Sequence, residues 1–216
     1  MDTDYIVGLD LGQTQDFTAL AVLERSGPLE EPDLAVRHLH RYPLATAYTA
    51  IVPAVVRLTN TPPLAGNCML VVDQTGVGRP LVELLLKEPG VPRVVPVTIT
   101  GGHEVTMLPD RSFHVPKKEL VTALQLLLQG RRLRVAASLP DAELLMRELS
   151  NFQVKITEAA NETFGAWREG VHDDLVLAVA LACWLAGREP RWGPDACSTG
   201  GESLVAKMME HLGERW

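Results

Sequence analysis

Cysteine is scarce in this chain. There are three in 216 residues, Cys68, Cys183 and Cys197, and none has CxxC spacing. This argues against a disulfide framework and a cysteine-built zinc site, and a reducing, cytoplasmic compartment is the simpler expectation. Long apolar runs are missing too. The longest, Leu175–Ala186, has 12 residues, whereas a membrane span needs roughly 20, so it reads as a buried helix. The N-terminus, MDTDYIVG, is acidic and then strand-like, which is not the pattern of a secretory signal. No segment ends in the Gly-Lys-Ser/Thr of a P-loop; GVGRP has the glycines without it. An ATP motor of that class is therefore not expected. Positive charge is also short. The net charge is −7, against the profile of a protein that coats nucleic acid non-specifically. Repeats and low-complexity tracts are absent.

What is present suits one medium-sized domain. The chain is 46% hydrophobic and 22% charged, a soluble globular composition. Three strands open it: Ile6–Asp10, Phe17–Glu24 and the alternating Leu34–Tyr42, expected as an antiparallel meander. Apolar spacing predicts a helix over Thr46–Leu58, with Pro53 inside it. Met69–Asp73 reads as a buried strand, Leu81–Lys87 as a helix and Val94–Ile99 as a strand. Val105–Leu108 and Phe113–Val115 flank a turn, giving an inserted hairpin. Pro116 opens a helix that Gly130 closes, and Leu133–Ala136 is a short strand. Asp141 can cap a further helix. Residues 152–167 are expected to form an irregular hairpin, and the last large helix follows Gly170. After Gly187 the chain turns Pro/Gly-rich, so residues 188–216 read as a linker with a short helix over Glu202–Leu212. The order predicts an α/β fold, a mixed sheet with helices on both faces, spanning residues 1–187.

Three acidic stations stand at the edges of apolar runs. Asp10 ends the first strand in VGLDLGQT. Asp73 ends another in LVVDQTGVG. Asp173 and Asp174 open the apolar helix. A carboxylate leaving water is costly unless paired or metal-bound. Carboxylates converging from separate elements form a site for hard divalent cations. On a helix Asp173 and Asp174 point about 100° apart, so they do not face one spot equally. One can bind metal while the other caps the helix, and the spacing does not decide which. Asp16, just past Asp10, is a secondary candidate, either to hold a metal-bound water or to stabilise the turn. His172 is another, as ligand, proton shuttle or surface residue. His38 and His40 share a strand face with no partner set and read as surface. Residues 111–134 carry six basic side chains and one acid. Lys117, Lys118, Arg131 and Arg132 in this band are candidates for contacting a phosphate backbone.

Four segments in order, GLDLGQTQDFTALAVLE, VVDQTGVGRPLVELL, FHVPKKELVTALQLLLQGRRLRV and GVHDDLVLAVALA, resemble the C-terminal nuclease domain of phage terminase large subunits. The resemblance implies an RNase H-like fold with a five-stranded central sheet and an endonuclease that cuts concatemeric double-stranded DNA during genome packaging. It implies two Mg²⁺ or Mn²⁺ ions, with Asp10 as shared ligand, Asp73 as the second, and Asp173 or Asp174 as the third. The implied setting is the cytoplasm of a bacterial host, with the gene in a phage or prophage. Implied partners are DNA, the packaging ATPase domain, the small terminase subunit and the portal; a membrane is not among them. The chain begins just before the first nuclease strand, as an excised domain, a separately encoded nuclease or a prophage remnant would. Three other readings share some of these features: a Holliday-junction resolvase, a DNA-binding packaging module without activity, and an actin-like sugar kinase. The kinase needs two lobes, and 216 residues are too few for them.

Overall fold

The computed structural model describes residues 3–12, 16–28, 30–76, 78–159 and 173–188, with side chains described in α4 only as far as Phe152. His172, the expected hairpin beyond residue 159 and the tail from 189 on lie outside the described residues. One mixed sheet organises the rest. Strands β1 (Asp4–Asp10), β2 (Ala19–Ser26) and β3 (Asp33–Arg41) form the expected antiparallel meander. Then come α1 (Tyr48–Thr59), β4 (Cys68–Asp73), α2 (Gly78–Leu85) and β5 (Arg93–Thr100). The hairpin strands β6 (Thr106–Met107) and β7 (Phe113–Pro116) run directly into α3 (Lys117–Gln129). The series closes with β8 (Leu133–Val135), α4 (Ala142–Ala159) and α5 (Asp174–Ala186).

The strand order is β6-β7-β5-β4-β1-β2-β3-β8. The five-stranded centre is thus extended by the hairpin at one edge and by β8 at the other. β8 pairs with β3 in parallel. The expectation of an irregular hairpin over 152–167 is corrected across residues 152–159, which continue α4. Phe152, Val154 and Ile156 alternate as in a strand, but Gln153, Lys155, Glu158 and Ala159 are good helix formers, and the apolar side of α4, Leu145, Leu149 and Phe152, is buried on the core. Packing of that face adds to the local helix propensity.

Side-chain alternation divides the sheet into two faces. Ile6, Ala21, Leu23, Met69 and Val71 pack with α3, α4 and α5. Val7, Leu9, Leu20, Leu70 and Val72 pack with α1 and α2. Helix α5 has apolar residues all round, which is the pattern of a helix enclosed on every side, and of its residues only Leu177 is not fully buried. It crosses β1 in backbone contact. A Cβ built on Gly8 would come within 1.9 Å of the carbonyl oxygen of Ala178, so only glycine fits there.

Direction follows from two contacts. The fully buried Arg25 guanidinium donates from Nη1 to the Ala186 carbonyl oxygen at 2.9 Å and from Nε to Asp4 Oδ1 at 2.9 Å. Asp4 and Arg25 are a register pair of β1 and β2. The C-terminus of α5 therefore sits over the start of β1, and its N-terminus arrives at the end of β1, where Asp10 is. A cation at the helix C-terminus also complements the macrodipole.

Gly8→Ala is expected to destabilise the fold by about 3 kcal/mol through overpacking against Ala178, read as a loss of denaturation midpoint. Gly101→Ala, where a Cβ meets nothing within 4 Å, is the neutral control.

Candidate metal centre

Asp10 and Asp73 are the last residues of adjacent parallel strands, one step beyond the register pair Leu9–Val72. Both fall in the alternation set of Ile6, Gly8, Met69 and Val71, so both carboxylates project to the face covered by α5. Their burial is close to complete, at 6% and 9% exposure. Asp173 is the N-cap of α5 and Asp174 its first residue, and Asp174 is 4% exposed. The antiparallel lie of α5 on β1 brings these stations to one sheet edge. Lys117, the first residue of α3, joins them, with Nζ 3.7 Å from Asp173 Oδ2. The sheet supplies two acids, one helix supplies two more, and a second helix supplies the cation.

Electrostatics reports the same convergence. Burial raises Asp10 well above the ordinary aspartate range; the charges of Asp73, Asp174 and Asp173 push it further, and Lys117 opposes them. Asp73 is raised by burial, with its bonds to Thr75 and the charge of Lys117 pulling the other way. The Thr75 backbone N–H donates to Asp73 Oδ1 at 2.8 Å, and the Thr75 hydroxyl donates to the same oxygen. Asp73 is therefore a turn-former through one oxygen, and Oδ2 is not part of that turn. Like charges gathered out of water favour protonation of one of them or capture of a cation.

The donor set fits a hard divalent ion. It is all carboxylate oxygen, it comes from rigid elements, and its excess negative charge is only partly met by Lys117. Among the described residues no group of three or more His, Cys, Asp or Glu is drawn close enough to hold an ion as it stands.

The remaining sequence candidates separate. Asp16 lies exposed on the loop after β1. That loop doubles back so tightly that a Cβ on Gly12 would meet the Asp16 carbonyl oxygen at 2.2 Å. Lys118 turns toward the loop before β6, with Nζ 3.4 Å from His103 Nδ1. Arg131 and Arg132 follow the far end of α3, about 20 Å from Lys117 by helical rise, and do not join the acidic cluster. His38 and His40 lie with parallel rings, their centroids 6.3 Å apart, on β3.

Sequence reasoning missed Glu148. It is 4% exposed on α4. Its Oε2 accepts the backbone N–H groups of Leu175 and Val176 at 3.0 and 3.2 Å. Its Oε1 faces Arg41 Nη1 at 3.8 Å, an ion-pair distance without a hydrogen bond. Burial and, to a lesser degree, the charge of Asp174 push its carboxyl up to about 7, against the backbone N–H bonds and Arg41. The signal was in the sequence: Leu145, Glu148, Leu149 and Phe152 share one helical face.

No family model matches the chain. Two curated relatives do, the terminase large subunits of Thermus phage G20c and Thermus virus P23-45, each 29% identical over 181 residues, or 84% of this chain. The chain spans about a third of their length, 31%. Among solved structures it is similar to the large terminase nuclease of the thermophilic phage G20c. The TM-score there is 0.56 at 24% identity, covering 84% of this chain and 81% of that one. It is also similar to the P22 large terminase nuclease domain (TM-score 0.53, 14% identity, 89% and 86% covered). A third neighbour is the human cytomegalovirus terminase nuclease domain, studied in a Mn-soaked form (TM-score 0.53, 12% identity, 85% and 83% covered). The chain thus has homologues among terminase large subunits and shares the fold of terminase nuclease domains, the RNase H-like fold expected from the sequence.

The raised carboxyls set a pH dependence. Each binds its proton more tightly folded than unfolded, so its contribution is present at low pH and is lost as pH rises through the elevated folded value. For Glu148 the window runs from 4.5 to about 7; Asp10 and Asp73 act in the same direction. In chelator, the melting temperature is expected to fall by roughly 5 °C or more between pH 5 and pH 8. Asp10→Asn should flatten that fall, and Mn²⁺ should reverse it at pH 8. A flat wild-type profile in chelator would contradict the electrostatic reading.

Proposed function

We propose that this chain is a divalent-metal-dependent DNA endonuclease of the terminase large-subunit kind. Residues 1–187 form its nuclease unit and residues 188–216 an appended tail. The observation that carries this reading is Asp10, buried at the end of the central strand, its carboxyl raised by that burial and then by the charges of Asp73, Asp174 and Asp173, with Lys117 opposing. The homology to terminase large subunits and the shared nuclease-domain fold support it.

In this reading Asp10, Asp73 and Asp173 or Asp174 would hold two Mg²⁺ or Mn²⁺ ions, with Asp10 shared between them. The ions would supply an activated water and charge stabilisation at the leaving 3′-oxygen. The chain's own groups do the positioning. Asp10 and Asp73 are held by sheet hydrogen bonding and by the Thr75 turn, so little reorganisation precedes reaction. Lys117, on the first turn of α3, meets the scissile phosphate and takes up its charge. Lys118 extends the basic approach toward the hairpin. Arg131 and Arg132 contact the DNA backbone farther along α3. The substrate is concatemeric double-stranded viral DNA. The working partners are the packaging ATPase domain, the small terminase subunit and the portal, and the setting is a phage-infected or lysogenic bacterial cytoplasm.

Incubation with supercoiled plasmid and Mn²⁺ or Mg²⁺ is expected to give nicked and linear products, abolished by chelator. Asp10→Asn and Asp73→Asn should each lower the rate at least 100-fold while remaining folded by circular dichroism. Cutting that persists in chelator or in both variants would sink the proposal. Cutting confined to four-way junctions would point to a resolvase instead.

The two ends of α3 should behave differently. Lys117→Glu is expected to lower kcat about tenfold or more and to reduce the salt slope of DNA binding. The Arg131→Ala, Arg132→Ala pair should raise KM and leave kcat near wild type. An unchanged salt slope for Lys117→Glu would remove that residue from the phosphate site.

A further inference from the structure

We infer that Glu148 is a positioning residue of the acidic centre. It caps α5 from outside, so that the Asp173 side chain does not close its own helix end and the first turn, with Asp174, is held where the acids converge. The inference rests on the nuclease reading above and adds a residue that the acidic stations do not include.

A helix N-terminus carries orphan N–H groups that need acceptors. Aspartate at the N-cap normally provides one. Here the N-cap is Asp173, and its side chain makes no capping hydrogen bond; its backbone, at φ −134° and ψ 22°, is outside the usual N-cap region. The acceptor comes from α4 instead. Glu148 Oε2 takes the N–H groups of Leu175 and Val176. A buried carboxylate on the positive end of the helix dipole is favourable, and it fixes the first turn of α5, from which Asp174 projects.

Glu148 is itself held. Arg41 faces its other oxygen at 3.8 Å. The Arg41 guanidinium lies over the Phe17 ring, 4.1 Å from the centroid, and the Arg41 backbone N–H donates to Asp141 Oδ2 at 3.3 Å. Phe17 belongs to the loop that leaves Asp10. A chain of contacts thus runs from the loop after the first acid, through Arg41 and Glu148, to the helix end that carries the third. Groups that orient metal ligands from behind commonly change metal affinity by about 10- to 100-fold when removed.

The test is Mn²⁺ affinity measured by calorimetry on folded protein, well below each variant's melting temperature, alongside plasmid-cleavage kinetics. Glu148→Ala is expected to weaken Mn²⁺ binding tenfold or more and to lower kcat, with KM for DNA within twofold of wild type. Glu148→Gln keeps an acceptor oxygen on the same side-chain length and should bind Mn²⁺ within about threefold of wild type. Should the alanine variant not fold, Glu148→Asp serves: it keeps the charge but withdraws the oxygen by one methylene, and should still lose several-fold in Mn²⁺ affinity. Wild-type Mn²⁺ affinity in a folded Glu148→Ala or Glu148→Asp variant would overturn the inference. That would leave the nuclease reading standing, provided Asp10→Asn abolishes Mn²⁺ binding in the same assay. Wild-type protein that binds no Mn²⁺ would overturn both.

Discussion

Everything about the acidic centre depends on how closely α5 lies on β1. At Gly8 the two backbones touch, and the absence of one Cβ decides whether the helix can settle. Because that contact lies mid-helix, both ends of α5 are held in place relative to the sheet: Ala186 over Asp4 and Arg25, Asp174 over the strand ends. The ends are then secured by buried groups of opposite sign, the Arg25 guanidinium at the negative pole and the Glu148 carboxylate at the positive one. An apolar helix with polar anchors at its tips has one seating. A purely apolar contact would permit sliding and rotation, whereas directional hydrogen bonds at both termini remove those freedoms.

A second tension follows from the first. Seating α5 brings the charges of Asp174 and Asp173 to bear on Asp10 in a region shielded from water, where charges interact strongly and are expensive to keep. The rest of the sheet face is filled with aliphatic side chains that contribute roughly 1.5–3 kcal/mol each on burial. The fold has the packing energy to tolerate a few costly carboxylates at one edge. The strain is relieved in proportion to the positive charge brought in, whether by Lys117 or by a cation.

The legible parts of this arrangement were those written in local pattern. Asp10 and Asp73 follow aliphatic runs short enough to be strands; the meander could be read from its alternation and the last helix from the length of its apolar run. Reversing that logic explains what was missed. Arg25 continues the inward alternation Ala19, Ala21, Leu23, and Asp4 continues Ile6 and Gly8, but both lie one or two residues outside the strand bounds read from the sequence, Phe17–Glu24 and Ile6–Asp10. Glu148 hides instead on the apolar side of α4. Residues 152–159 alternate Phe152, Val154 and Ile156 with polar residues, a strand-like period, although Gln153, Lys155, Glu158 and Ala159 are good helix formers; nothing local reveals the core that the helix packs on. The pairing of β8 with β3 joins residues about 100 positions apart, a contact that no window of sequence contains. The separation of Lys117 from Arg131, by contrast, was legible, because Pro116 and Gly130 bound the helix that sets them at opposite ends.

The parts of the acidic centre are separated in time as well as along the chain. Asp10 and Asp73 lie in the first half of the sequence, and Asp174 follows Asp73 by about 100 residues. Synthesis at about 5–20 residues per second leaves the early strands waiting several seconds for the helix that covers them. Throughout that interval the edge of β1 and β4 is open to water, and its two carboxylates are solvated and ordinary. Their raised proton affinity begins only when α5 docks. A partly made chain thus has the acids without the geometry that α5 gives them.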